Sequence, residues 1–203
     1  LSAGINYAYE VRDSKNCVFS NSVTLTEPTV LVVSASATAF SCNASNTNQS
    51  ALVTIALPTT GTAPYAYSFN GSGYSSSNTL TVNDNGADQT ITYSVQDAQG
   101  CIAGGSVTLL QLDPPTDLTF SSTAITCLAT SSTVTLTATD GVGTLEYETI
   151  SPSPIIEAKQ TSNVFTGLTP GTYVFRVTDA NGCYYSESYI IDAVTPINIV
   201  GFK

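Results

Sequence analysis

Three eleven-residue segments superimpose without a gap: YAYEVRDSKNC (7–17), ITYSVQDAQGC (91–101) and YVFRVTDANGC (173–183). Their cysteines, Cys17, Cys101 and Cys183, lie 84 and then 82 residues apart. A fixed period of this length means a supersecondary unit used repeatedly, which constrains the fold more than any single residue does. Within each segment apolar and polar residues alternate: Tyr7, Tyr9, Val11; Ile91, Tyr93, Val95; Tyr173, Phe175, Val177. Period-two alternation is the mark of a strand with one buried face. Each strand runs into Asp-x-x-(Gly/Asn)-Cys. Asp bonds forward to turn amides, and Gly or Asn tolerates positive φ, so Asp13, Asp97 and Asp179 are expected to cap hairpin turns. The return strands match as well, with Val23 and Leu25, Val107 and Leu109, and Tyr189 and Ile191 at six and eight residues past each Cys.

The other halves repeat more loosely. Cys42 and Cys127 are 85 apart, and each precedes an alternating stretch: Val53, Ile55, Leu57 and Val134, Leu136, Ala138. A Gly-containing turn and a Tyr-bearing strand follow each. Prolines at 28, 114–115 and 196 mark the seams, because Pro stiffens a linker and cannot donate into a central ladder. The expected organisation is the end of one repeat (1–28), two complete repeats (29–114 and 115–196) and the start of another (197–203). A repeat of 82–85 residues with about seven short strands fits a β-sandwich. A β-helix has a far shorter period and a propeller blade about half this one. The expected fold class is all-β, as tandem immunoglobulin-like sandwiches arranged as beads on a string. No amphipathic helix is evident, although 154–160 has the composition of a single turn.

Gly171 to Cys183 (GTYVFRVTDANGC), with GTAPYAYSF (61–69) in the other full repeat, resembles the SprB-type repeat of cell-surface adhesins in gliding Bacteroidetes. The resemblance covers nearly the whole chain, and the DANGC ending is its most specific part. It implies long arrays, export by the type IX secretion system, and a role in adhesion or gliding motility at the cell surface. Leu145-Glu146-Tyr147 lacks the Pro-Tyr of the motif, and the segment at Asp13–Cys17 lacks its turn Gly.

Composition bounds the chemistry. The formal charge is −10, and the five Lys and Arg residues are scattered. Phosphate binding needs clustered cations, so nucleic acid is disfavoured, and anionic membranes for the same reason. No apolar run reaches the length of a membrane span. There is no Met, Trp or His. A chain without Met reads as a piece of a longer one, and a chain without His has no Ser-His-Asp or Cys-His scheme. The carboxylates are dispersed in turns, so no enzyme is expected.

Five cysteines in an exported chain suggest disulfides with one left over. Two regular schemes exist. Pairing within repeats joins Cys42–Cys101 and Cys127–Cys183 and leaves Cys17 without a partner. Pairing across a seam joins Cys17–Cys42 and Cys101–Cys127 and leaves Cys183. About 25 residues at roughly 3.3 Å each would carry the seam cysteines apart, which favours the first scheme. That scheme in turn requires Cys42 and Cys127 to lie near the pole of the Asp turns.

The remaining candidates are weaker. Asp84-Asn-Gly-Ala-Asp88 is the best calcium loop by composition, with Asp84 and Asp88 as ligands, but its spacing falls short of an EF-hand and a plain turn is favoured. No other cofactor is expected. Tyr74, Tyr184 and Tyr185 stand in turn-like contexts and are candidate contacts for a ligand such as a glycan. Sequons begin at Asn43, Asn48 and Asn70 and matter only in a glycosylating host. Two functions follow. One is a structural stalk or filament segment, whose partners are neighbouring repeats of its own polypeptide. The other is a module that binds surface glycans or proteins through loops at one pole.

Overall fold

The computed structural model describes residues 1–27, 29–152, 158–195 and 201. The seam prolines 28 and 196, the 154–157 part of the single-turn candidate, and all of 197–203 except Gly201 lie outside the described residues. Among the described residues there are sixteen strands and no helix. In chain order these are β1 (Asn6–Arg12), β2 (Val18–Thr24), β3 (Ala35–Ala37), β4 (Ser41–Cys42), β5 (Asn48–Gln49), β6 (Ala51–Ile55), β7 (Ala66–Phe69) and β8 (Thr79–Val82). They continue with β9 (Gln89–Gln96), β10 (Ile102–Leu109), β11 (Asp117–Ser122), β12 (Ser132–Thr139), β13 (Glu146–Ser151), β14 (Val164–Leu168), β15 (Gly171–Thr178) and β16 (Tyr184–Ile191). Every strand pair with a described register is antiparallel.

The chain divides into two compact units. The first comprises Leu1–Ser36, Thr54–Thr79 and Ile91–Val107; the second comprises Ala37–Val53, Leu80–Thr90 and Thr108–Lys203.

The second unit contains a complete sandwich. One sheet has the order β11–β12–β14 and the other β13–β15–β16. Numbered within the repeat, these are the first, second and fourth strands against the third, fifth and sixth. That is the order A-B-E against C-F-G of an immunoglobulin-type sandwich, without a strand D. The orders β3–β6–β8 and β10–β9–β7 repeat it one period earlier. The fold is therefore an all-β, immunoglobulin-like sandwich.

Alternation explains which face is buried. Val134 and Leu136 from one sheet and Tyr147, Tyr173, Phe175 and Val177 from the other share one core with Leu118, Phe165, Leu168 and Ile191. Phe175 is fully enclosed, with Phe165 edge-on at 5.1 Å and Phe120 tilted at 5.5 Å. Such pairs add directional attraction to the burial of apolar area. Leu57, expected to continue the pattern of Val53 and Ile55, lies beyond the end of β6 and is largely exposed.

In the first unit Leu31, Ile55, Tyr67, Phe69, Ile91 and Val95 are buried. The hairpin β1–β2 is in register from Asn6↔Thr24 to Arg12↔Val18, and its apolar residues Tyr9, Val11, Val18, Phe19 and Val23 are exposed.

Candidate functional site: a hairpin stapled to an Asp turn

The three repeated turns share one geometry. Asp13 Oδ1 accepts from the amides of Lys15 and Cys17, both at 2.8 Å. Asp97 Oδ1 accepts from Gln99 and Cys101, and Asp179 Oδ1 from Asn181 and Cys183, all at 2.9 Å. The residue before each Cys has positive φ: Asn16 at 63°, Gly100 at 83° and Gly182 at 79°. Asp97 and Asp179 are buried, and each offers a second oxygen to a preceding Gly-containing loop. Oδ2 of Asp97 accepts from Thr62 N at 3.0 Å, and Oδ2 of Asp179 from Val142 N at 3.3 Å. The Thr62 amide, with help from Cys101 and Gln99 and against the effect of burial, holds the Asp97 carboxyl below its ordinary value.

A fourth turn of the same kind follows Cys42 and was not expected. Asn43 Oδ1 accepts from the amides of Ser45 and Thr47, both at 3.0 Å, and Asn46 has φ of 57°. The sequence signal was present: Asn43-x-x-Asn46 is the Asp-x-x-(Gly/Asn) pattern with Asn as its first member. The turn joins β4 to β5, with Ser41↔Gln49 and Cys42↔Asn48 in register.

Within the second unit this hairpin is docked on the Asp179–Cys183 turn. Cys42 and Cys183 form a disulfide, with their Cα atoms 4.8 Å apart. Cys42 N donates to Asn181 O at 2.9 Å. The Asn46 side chain grips the backbone of Tyr184, donating from Nδ2 to its O at 2.8 Å and accepting from its N at 2.9 Å. Cys183 is completely buried as a result, while Cys17, Cys101 and Cys127 are free thiols.

The expected pairs Cys42–Cys101 and Cys127–Cys183 are thus not made, and the across-seam pairs are not made either. The reason is strand direction. The end of β11, next before Cys127, lies against the late part of β16: Ser122 Oγ is 2.8 Å from the Tyr189 hydroxyl, and Phe120 stacks on Tyr189 at 4.8 Å. Tyr189 is six residues past Cys183. At roughly 3.3 Å per strand residue that is about 20 Å, far beyond the 7 Å a disulfide allows. Cysteines of these two types occupy opposite poles of one repeat. The bond that does form joins the first cysteine of one sequence repeat, in the β4–β5 hairpin, to the turn cysteine of the following one, 141 residues on.

The other candidates are placed as follows. Tyr184 and Tyr185 are not turn residues; β16 begins at Tyr184, directly after Cys183. The Arg176 guanidinium lies 4.1 Å above the Tyr184 ring and is 3.8 Å from Glu148. Tyr185 packs against the core, and Glu187 beside it, then burial, raises its hydroxyl above the ordinary value. Tyr74 belongs to the first unit, is 40% exposed, and accepts a bond from Ser94 Oγ at 3.1 Å. Asp84 Oδ1 accepts from Gly86 N at 3.3 Å and Asp88 Oδ1 from Gln111 N at 3.0 Å. Among the described residues no three His, Cys, Asp or Glu side chains converge to hold a metal ion.

No family model matches the chain, and no curated protein does. Among solved structures it is similar to the C-terminal 282-residue fragment of intimin in complex with the translocated intimin receptor's intimin-binding domain. The identity is 12% and the TM-score 0.39, over 80% of this chain and 64% of that one. It is also similar to a protocadherin gamma B3 fragment of four extracellular cadherin domains, at 14% identity and TM-score 0.32, over 96% of this chain and 66% of that one. The chain therefore spans less than two thirds of either structure. At such scores these overlaps add nothing to the strand order, on which the fold assignment rests.

Proposed function

We propose that the chain is a structural stalk segment of a secreted bacterial surface adhesin, with repeats serving as spacers tied to one another rather than as catalysts or binding heads. One observation carries this reading: the Cys42–Cys183 disulfide joins successive sequence repeats. A crosslink spanning most of two repeats suits a chain that bears load. Disulfides also persist in oxidising compartments, which supports a location outside the cell at its surface. The resemblance of Gly171–Cys183 to the SprB-type repeat supports the finer reading, a gliding-motility adhesin exported by the type IX system. The binding-module alternative is disfavoured at two of its three tyrosines, because Tyr184 and Tyr185 are held in β16.

Single-molecule pulling tests the load-bearing role. The oxidised chain should withhold the length between Cys42 and Cys183, about 50 nm at roughly 3.5 Å per residue, and release it on reduction. Equal extension in both states would sink the reading. A glycan array probed with the chain is expected to be blank. Reproducible binding lost in Tyr74→Ala would replace the stalk with a binding module.

A further inference from the structure

The geometry points to a disulfide ladder between successive repeats. We propose that Cys101 takes a Cys42-type hairpin from the repeat before its own, and that Cys127 is the loop half of a bond to the turn cysteine of the repeat after its own. The proposal rests on the array reading above.

The Cys101 turn is built like the occupied Cys183 turn, with the same pair of Asp bonds and nearly the same φ at the Gly before the Cys. The difference lies in what covers them. A Cβ on Gly182 would sit 3.1 Å from the carbonyl oxygen of Cys42, whereas a Cβ on Gly100 would meet nothing within 4 Å. Cys183 is wholly buried, but Cys101 is partly exposed and free. Tyr184, held by Asn46, is partly buried, while its counterpart Ile102 is 60% exposed. So the Cys101 turn presents the same seat, uncovered. At the Cys17 turn the place of Gly182 is taken by Asn16, whose Cβ would press on an incoming carbonyl, and Cys17 is left out of the proposal.

Cys127 is the complementary half. It and Leu128, which is 99% exposed, stand on the loop after β11, at the pole away from their own turn cysteine. Cys42 likewise comes before the long second strand of its repeat's sandwich, in β4 of the hairpin that precedes β6. The last strand of a repeat ends at this pole, so the chain continues there into the next repeat. A loop cysteine therefore faces the turn cysteine of the repeat that follows, as the Cys42–Cys183 bond shows once. Each further bond forms when two thiols lose two protons and two electrons to a glutathione disulfide, which is cleaved to two thiols.

The test extends the full chain. Residue 1 corresponds to residue 85 by the 84-residue period, so a copy of residues 29–84 placed directly before Leu1 completes the first repeat. The added Cys42 copy then lies 143 residues before Cys101, against 141 for Cys42 and Cys183. After refolding in glutathione buffer, thiol titration should fall from three free thiols to two although a cysteine has been added, and peptide mapping should find the new bond at Cys101. A second variant repeats 115–196 after residue 196, and should keep three free thiols with Cys127 bonded to the added turn cysteine. Four free thiols in the first variant, or five in the second, would overturn the ladder at Cys101 or Cys127 respectively. If the Cys42–Cys183 bond is itself missing from the unextended chain, the stalk reading falls instead.

Discussion

The Asn46 side chain bonds to both backbone polar groups of Tyr184, 138 residues away, with donor and acceptor distances of 2.8 and 2.9 Å. A primary amide can do both from two separate atoms, because its oxygen accepts while its nitrogen donates. Asn also tolerates the φ of 57° that this turn requires. Asn46→Ala should destabilise the second unit by about 1–2 kcal/mol through two lost bonds and the strained φ. Asn46→Asp keeps the acceptor but turns a carboxylate toward the Tyr184 carbonyl, and should cost at least as much. Urea unfolding of the two variants checks this. An unchanged midpoint in both would mean that the grip contributes nothing.

The disulfide should dominate the stability of the same region. Closing 141 residues in the unfolded chain is worth about 5 kcal/mol in the chain-entropy model, an upper figure because strain and residual structure reduce it. Cys42→Ser should therefore lower the urea midpoint markedly. A reducing agent should do the same to the parent chain and add nothing to the variant. Thiol titration of the unfolded chain should read three before reduction and five after.

The buried strand faces of β9 and β15 were legible in the sequence, the matching face of β1 is exposed at Tyr9 and Val11, and the cysteine partners were not legible. Tyr173, Phe175 and Val177 alternate, and all three are buried, because strand periodicity is a local property that burial then enforces. Partner choice depends on which pole each cysteine occupies. That follows from the direction in which β11 runs against β16, through contacts such as Ser122 to Tyr189 across 67 residues. Spacing alone offers several regular registers and does not rank the one that forms. The two tyrosines after Cys183 stand in β16 for a smaller reason: the turn ends at the cysteine itself, so the strand begins two residues sooner than a turn reading of both allows.

Acid should unfold the first unit partly through Asp97. Its carboxyl is held low chiefly by the Thr62 amide, so as pH falls the unfolded chain takes up the proton first. The stabilisation is whole above the ordinary carboxylate value and is lost as pH descends from there through the lowered folded value, below about pH 4. Asp97→Asn keeps an acceptor for Gln99 and Cys101 but faces an NH2 group to the Thr62 amide. It should be less stable than the parent at pH 7, with the gap narrowing by pH 3. A constant gap between urea midpoints at the two pH values would show that the Asp97 charge is not the cause.

Gly182 and Gly100 permit a matched comparison. Both hold φ near 80° at the same position of the same turn, so alanine at either one incurs the same left-handed strain, about 1 kcal/mol or more. Only at Gly182 does the added methyl also approach the Cys42 carbonyl, at 3.1 Å. Gly182→Ala should therefore cost more than Gly100→Ala in the oxidised chain. The excess should vanish in Cys42→Ser under conditions where the hairpin has left its seat, because the strain common to both glycines is all that then remains. Equal costs in the oxidised chain would mean that the hairpin yields to the methyl without loss.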